Sequence, residues 1–127
     1  MSEITTWEVL IVEDEPDSMA VVEEIFGYYN IKTHSAYSAE EALELMKSIN
    51  PTLLILDLAL PMMDGWGLLN AVRSNPKTSN IPAVAVTAFH SSNVAQEAIK
   101  AGFDAYFPKP IEATSFVREL ERILDQR

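Results

Sequence analysis

Short apolar runs alternate with stretches of helical periodicity from one end of this chain to the other, and that alternation restricts its fold more than any other feature. Residues 9–12, 32–36, 53–56, 83–86 and the short 105–107 read as strands. Between them, apolar side chains recur about every 3.6 residues. Met19, Val22 and Phe26 lie on one helical stripe, with Val21 and Ile25 beside it. Ala39, Ala42, Leu43, Met46 and Ile49 form a second. Trp66, Leu68, Leu69 and Val72 belong to a third helix beginning near Asp64-Gly65 and ending before Asn75-Pro76. A fourth is expected from about Ser91-Ser92 to Gly102, a good left-handed terminator. The last, about residues 114–124, turns Phe116, Val117, Leu120 and Ile123 to the core. Ser38-Ala39-Glu40-Glu41 is a capping box: Ser38 serves the third amide and Glu41 reaches back. That helix is expected to run until Asn50-Pro51, where proline forbids continuation.

Strands and helices alternating at this spacing imply an α/β fold, a parallel sheet covered by helices on both faces. Right-handed crossovers leave few topologies. Residues 9–12 and 53–56 are the most hydrophobic runs and belong in the middle of the sheet. That fits the flavodoxin-like, doubly wound five-stranded order 2-1-3-4-5, whose switch point lies between the first and third strands.

Leu53-Leu54-Ile55-Leu56 ends in Asp57, and Val9-Leu10-Ile11-Val12 runs into Glu13-Asp14. Packing does not call for acids at the carboxyl ends of buried strands, and that edge is where ligands sit in open α/β sheets. Converging carboxylates repel, so the site needs a divalent cation. Residues 83–86 end in Thr87, and residues 105–107 lead through Pro108 to Lys109. Carboxylates, a hydroxyl and an ammonium together suit a phosphoryl group. Asp57 is the carboxylate placed centrally enough to act as nucleophile.

With Ile11-Val12-Glu13-Asp14-Glu15, Asp57-Leu58-Ala59-Leu60-Pro61-Met62-Met63-Asp64-Gly65, Val86-Thr87-Ala88 and Tyr106-Phe107-Pro108-Lys109-Pro110 in this order, the chain resembles the receiver domain of two-component response regulators. The resemblance runs from about Trp7 to the C-terminus. It implies that Asp57 accepts a phosphoryl group from a histidine kinase or phosphotransfer protein, with Mg2+ (or Mn2+) as cofactor. It makes Asp14 a direct metal ligand, Glu13 a ligand mostly through water, and the Ala59 backbone carbonyl a third protein ligand alongside Asp57. Thr87 and Lys109 match the residues that hold the phosphoryl group, and Tyr106 the aromatic switch that follows Thr87. The Lys109-Pro110 peptide is cis in the family. Ala59 and Phe89 flank the phosphoryl group there, and neither orients a water, which implies slow self-dephosphorylation where Phe89 covers the site, whereas Ala59 leaves an open approach on its own side. The family is a phosphoacceptor switch with self-catalysed transfer rather than an enzyme on other substrates. It acts on a downstream protein partner, and phosphorylation-dependent homodimers are compatible with it. Glu13 stands where aspartate is commoner, Met62 where small residues are frequent, and Trp66-Gly67 is an unusual helix start.

Other readings attach to single residues. Asp14 suits an N-cap before Pro16, Glu15 and Asp17 are favourable first-turn acids, and Tyr106 can pack on an edge strand without switching. His34 and His90 read as surface or loop residues, and Met62-Met63 as packing. A haloacid dehalogenase-type phosphatase needs a second acid where Ala59 stands, and a dinucleotide site needs a glycine-rich first turn where Glu13-Asp14-Glu15-Pro16 stands. A pseudo-receiver that keeps the fold without phosphorylation is the remaining alternative, against intact Asp57, Thr87 and Lys109.

The 127 residues fit one domain, 1–127 with its core at about 7–125; no output domain follows, unless the chain is a receiver fragment of a longer regulator. A net charge of −10 argues against direct nucleic-acid binding. The lack of cysteine removes disulfides, thiolate metal sites and thiol nucleophiles. No apolar run approaches the roughly 20 residues that span a bilayer, and the start lacks a signal-peptide pattern. The expected location is cytoplasmic.

Overall fold

The computed structural model describes residues 3–88 and 93–126. After a short 3-10 turn at Ile4–Thr6 the chain runs β1 (Glu8–Val12), α1 (Pro16–Tyr28), β2 (Lys32–Ala36), α2 (Ala39–Leu45), β3 (Leu53–Asp57), α3 (Gly65–Ser74), β4 (Ala83–Thr87), α4 (Val94–Ala101), β5 (Ala105–Pro108) and α5 (Ala113–Asp125). All strand pairs are parallel, in the order β2-β1-β3-β4-β5. The fold class and strand order expected from the alternation are those observed.

Each strand side chain points to the face opposite its neighbour's, so an uninterrupted apolar strand feeds two cores. Leu10, Val12, Leu54, Leu56, Ala83 and Ala85 pack under α2, α3 and α4. Val9, Ile11, Leu53, Ile55, Val84 and Val86 pack under α1 and α5. Covering both faces is what makes β3 and β4 buried at every position. The edge strands β2 and β5 are only partly buried. Among the described residues no helix is long and apolar enough to cross a membrane.

Local chemistry sets the helix ends. The side chain of Ser38 accepts from the Glu41 amide at 3.1 Å. Glu41 reaches back one residue further than a capping box requires, accepting from the Tyr37 amide at 2.7 Å. α2 ends at Leu45 rather than continuing through Ile49. There the Lys47 and Ser48 amides donate three residues back, to Glu44 and Leu45, and the Ser48 hydroxyl donates to the Leu45 carbonyl as well. A side chain competing for helix acceptors tightens and closes the last turn. α1 is capped by Glu15, which accepts from the Asp17 amide at 3.0 Å, not by Asp14. Asp14 turns instead toward Glu13 and Asp57. Val21, beside the apolar stripe of α1, is half exposed. α4 begins at Val94 and stops at Gly102, whose φ of +114° needs the glycine; the expected Ser91-Ser92 start lies outside the described residues.

Arg73, which sequence patterns did not single out, ties the amino end of the sheet together. Its guanidinium donates to the Gly102 carbonyl at 3.0 and 3.2 Å, to Ile81 at 2.6 Å and to Ser79 at 3.1 Å. It also lies 3.4 Å from Asp104, which accepts from the Ala83 amide at 2.9 Å. One planar cation thus joins the end of α3, the entry to β4 and the turn between α4 and β5. Arg73→Ala is expected to lower unfolding free energy by about 2 kcal/mol in urea titration, and Arg73→Lys to recover less than half, since an ammonium cannot span these carbonyls. Unchanged midpoints in both variants would rule out this role.

Candidate functional site

Four strands deliver polar groups to the carboxyl edge of the sheet. β1 and β3 are neighbours, with Val12 opposite Leu56, so Glu13 and Asp57 emerge side by side. The Glu13 amide donates to the Ala36 carbonyl at 3.0 Å, which holds the turn after β1 against β2. Its side chain is only 3% exposed. One carboxylate oxygen accepts from Lys109 Nζ at 2.5 Å and the other from the Glu15 amide at 3.2 Å. Asp57, the last residue of β3, is 6% exposed. Its Oδ1 accepts from the Ala59 amide at 2.9 Å and its Oδ2 from Lys109 Nζ at 3.1 Å. Asp14 is exposed, and one oxygen from each of Glu13, Asp14 and Asp57 lies within 4.8 Å of the others.

Lys109 is positioned by backbone. Its amide donates to the Thr87 carbonyl at 3.0 Å, and its bond to Pro110 is cis, as the resemblance implied. Thr87 is fully buried at the end of β4, opposite Pro108. Tyr106 pairs with Ala85 and packs, half-buried, against the core under α2, α3 and α4. By strand alternation Thr87 faces the same side as Ala85 and Tyr106, one diagonal step away. An open, mainly apolar cleft of about 370 Å³ borders Lys109, walled by Val21 and Val22 of α1 and by Ile111.

Gly65 determines how closely α3 approaches the site. A Cβ there would lie 2.3 Å from the Asp57 carbonyl oxygen and 2.7 Å from the Leu58 Cα, both backbone atoms that cannot yield. Asp64 caps the helix through the Gly67 amide. The only readable signal for this close approach was the Asp-Gly pair at a helix start, which by itself indicates a cap. His34 sits at the opposite side of the fold's business end: it bonds Glu8, the first residue of β1, at 2.8 Å. His90 and Phe89 lie outside the described residues.

The electrostatics are those of a site short of positive charge. Burial, before any other cause, pushes the Glu13 carboxyl up to about 7; Asp57 adds to this, while Lys109 and the Glu15 amide oppose it. Burial also works to lower the Lys109 ammonium, but its bonds to Glu13 and Asp57 outweigh that and raise it. Two buried acids compete for one lysine with a third acid at the rim. A proton or a hard cation would relieve such a set, and its donors are all oxygen, the chemistry that suits Mg2+ or Mn2+.

Comparison with known proteins agrees with this geometry. The family model described as the response regulator receiver domain matches residues 9–121. An uncharacterised small protein of Leptolyngbya boryana is 32% identical over 122 residues, covering 96% of this chain and 93% of that one. The polar-differentiation response regulator DivK of Brucella ovis is 30% identical over 122 residues, covering 94% of this chain and 97% of its own. A putative response regulator from Chloroflexus aurantiacus superposes with a TM-score of 0.89 at 30% identity, over 94% of this chain and 98% of that one. With strand order and family match in agreement, the chain belongs to the response regulator receiver domain family of two-component signalling.

Proposed function

We propose that this receiver takes a phosphoryl group onto Asp57 in a reaction requiring a divalent cation, and that the modification changes which protein it binds. The observation that carries this reading is the sharing of Lys109 by the buried carboxylates of Glu13 and Asp57, with Asp14 alongside. In the transfer, a carboxylate oxygen of Asp57 attacks phosphorus. A P–O bond forms as the P–N bond to the donor's histidine breaks, and the freed nitrogen takes a proton from solvent. The donor is a histidine kinase or a phosphotransfer protein.

Asp14, Glu13, Asp57 and the Ala59 carbonyl are the residues that would hold Mg2+ or Mn2+. When bound, the metal supplies positive charge against the phosphoryl oxygens. Lys109, already 3.1 Å from Asp57, supplies charge from another side, and the Thr87 hydroxyl a hydrogen bond. Drawing Thr87 toward the phosphoryl group frees space on the face it shares with Tyr106, which biases that ring inward and reshapes the surface near α4 and β5 for a downstream partner.

Incubation with phosphoramidate and Mg2+ is expected to add the mass of one phosphoryl group to the parent protein. Chelator and Asp57→Asn each abolish the gain. A mass shift that survives either change overturns the assignment.

The raised Glu13 carboxyl also has a consequence for stability. Folded Glu13 holds its proton up to about 7, against 4.5 as the ordinary value. The folded state therefore binds more protons than the unfolded state across that window, and in chelator stability falls as pH rises through it, then levels off. Relative to Glu13→Gln, which has no such proton, the parent is expected to lose stability in urea titrations as pH rises from about 5 to about 8. A parent that gains stability over that interval, measured against Glu13→Gln, contradicts burial as the governing cause.

A further inference from the structure

Met62 breaks two local rules at once, in the loop that follows Asp57. Its φ is +62°, in the left-handed region where a Cβ is strained and glycine or asparagine is at ease. Its side chain is 92% exposed, the most of any large hydrophobic among the described residues. At that exposure its side chain gains little packing within the chain in return. Met63, its neighbour, is the one that packs, against the core under α2, α3 and α4. A local rule broken without an internal gain points to a site of function.

The surroundings say what kind of function. Met62 stands between exposed Pro61 and exposed Asp64. The loop is pinned by Gly65 against the Asp57–Leu58 backbone, so it does not drift from the site. At the same sheet edge, the turn after β1 presents Asp14, Glu15 and Asp17, all exposed. Met62 is thus an apolar side chain on a sheet edge that also carries these exposed acids. A partner that reads only the phosphorylated state can bind elsewhere on the domain. A donor cannot, since it must bring phosphorus to Asp57 and so covers the loops that border it.

We propose that Met62 is a recognition residue for the protein phosphodonor, fitting an apolar socket ringed by Lys or Arg beside the donor's phosphorylated histidine. This rests on the phosphoacceptor reading of Asp57. Methionine's flexible, polarisable chain suits a contact that must adapt to another protein's surface. The exposed acids of that edge steer a basic partner toward it and fix the orientation of encounter. A small phosphodonor makes no such contact, which separates recognition from chemistry.

The test compares the parent with Met62→Gly and Met62→Asn, both suited to the backbone at that position. The protein probe is the fastest donor among the purified, radiolabelled histidine kinases and phosphotransfer proteins of the source organism; phosphoramidate is the small-molecule control. Both variants are expected to melt no lower than the parent and to take phosphate from phosphoramidate at the parental rate. Transfer from the protein donor at sub-saturating concentration is expected to slow by about tenfold or more, as loss of a central apolar contact does. Parental rates from the protein donor, or equal slowing with phosphoramidate, overturn the proposal. So does a parent that phosphoramidate labels and no protein donor does. A parent labelled by neither sinks the phosphoacceptor reading itself.

Discussion

Lys109 is one positive charge shared between two buried negative ones, and the arrangement of the carboxyl edge depends on that imbalance. Glu13 and Asp57 lie almost entirely out of water, at 3% and 6% exposure, where an unpaired carboxylate is costly. A single ammonium at 2.5 and 3.1 Å relieves part of the cost and leaves the rest. Breaking such a pair from the lysine side strands two acids in the interior, which is why buried pairs are severe to disrupt even where they add little net stability. The remaining deficit of positive charge is what a bound cation would offset.

The fold exists around this edge in a specific sense. A sheet covered on both faces lets β1, β3 and β4 be apolar at nearly every position, so polar groups gather at their carboxyl ends. The opposite end is closed by Arg73, whose bonds to Gly102, Ile81 and Ser79 join three segments. The close seat of α3 on the Asp57 backbone, possible because residue 65 has no Cβ, holds the loop that follows Asp57. The domain is therefore fastened at its amino end and loaded with charge at its carboxyl end.

Much of this was legible in the amino-acid order. Alternation of apolar runs with helical stripes determines the fold class, and the high hydrophobicity of residues 9–12 and 53–56 then places β1 and β3 inside the sheet. The convergence of the candidate site residues was legible for a related reason: acids at the ends of buried strands have no packing explanation. Local competition was harder to read. The early end of α2 turns on which acceptor the Ser48 hydroxyl chooses, and the cap of α1 on whether Asp14 or Glu15 is free to turn back. Arg73 reads as one surface cation among nine basic residues until folding brings carbonyls from distant segments around it. The strain at Met62 was invisible because φ is a property of the loop's path, which no residue type announces.

A switch driven by phosphorylation at Asp57 requires the carboxylate excess to be a cation site. Titration calorimetry of Mg2+ into the parent, Asp14→Asn and Lys109→Met at neutral pH tests this without any phosphate present. One site is expected in the parent, binding about tenfold or more weaker in Asp14→Asn, which removes an anionic oxygen donor. Tighter binding is expected in Lys109→Met, because the metal then no longer competes with the internal ammonium for Glu13 and Asp57. Equal affinity in all three proteins, or no binding in the parent, would contradict it.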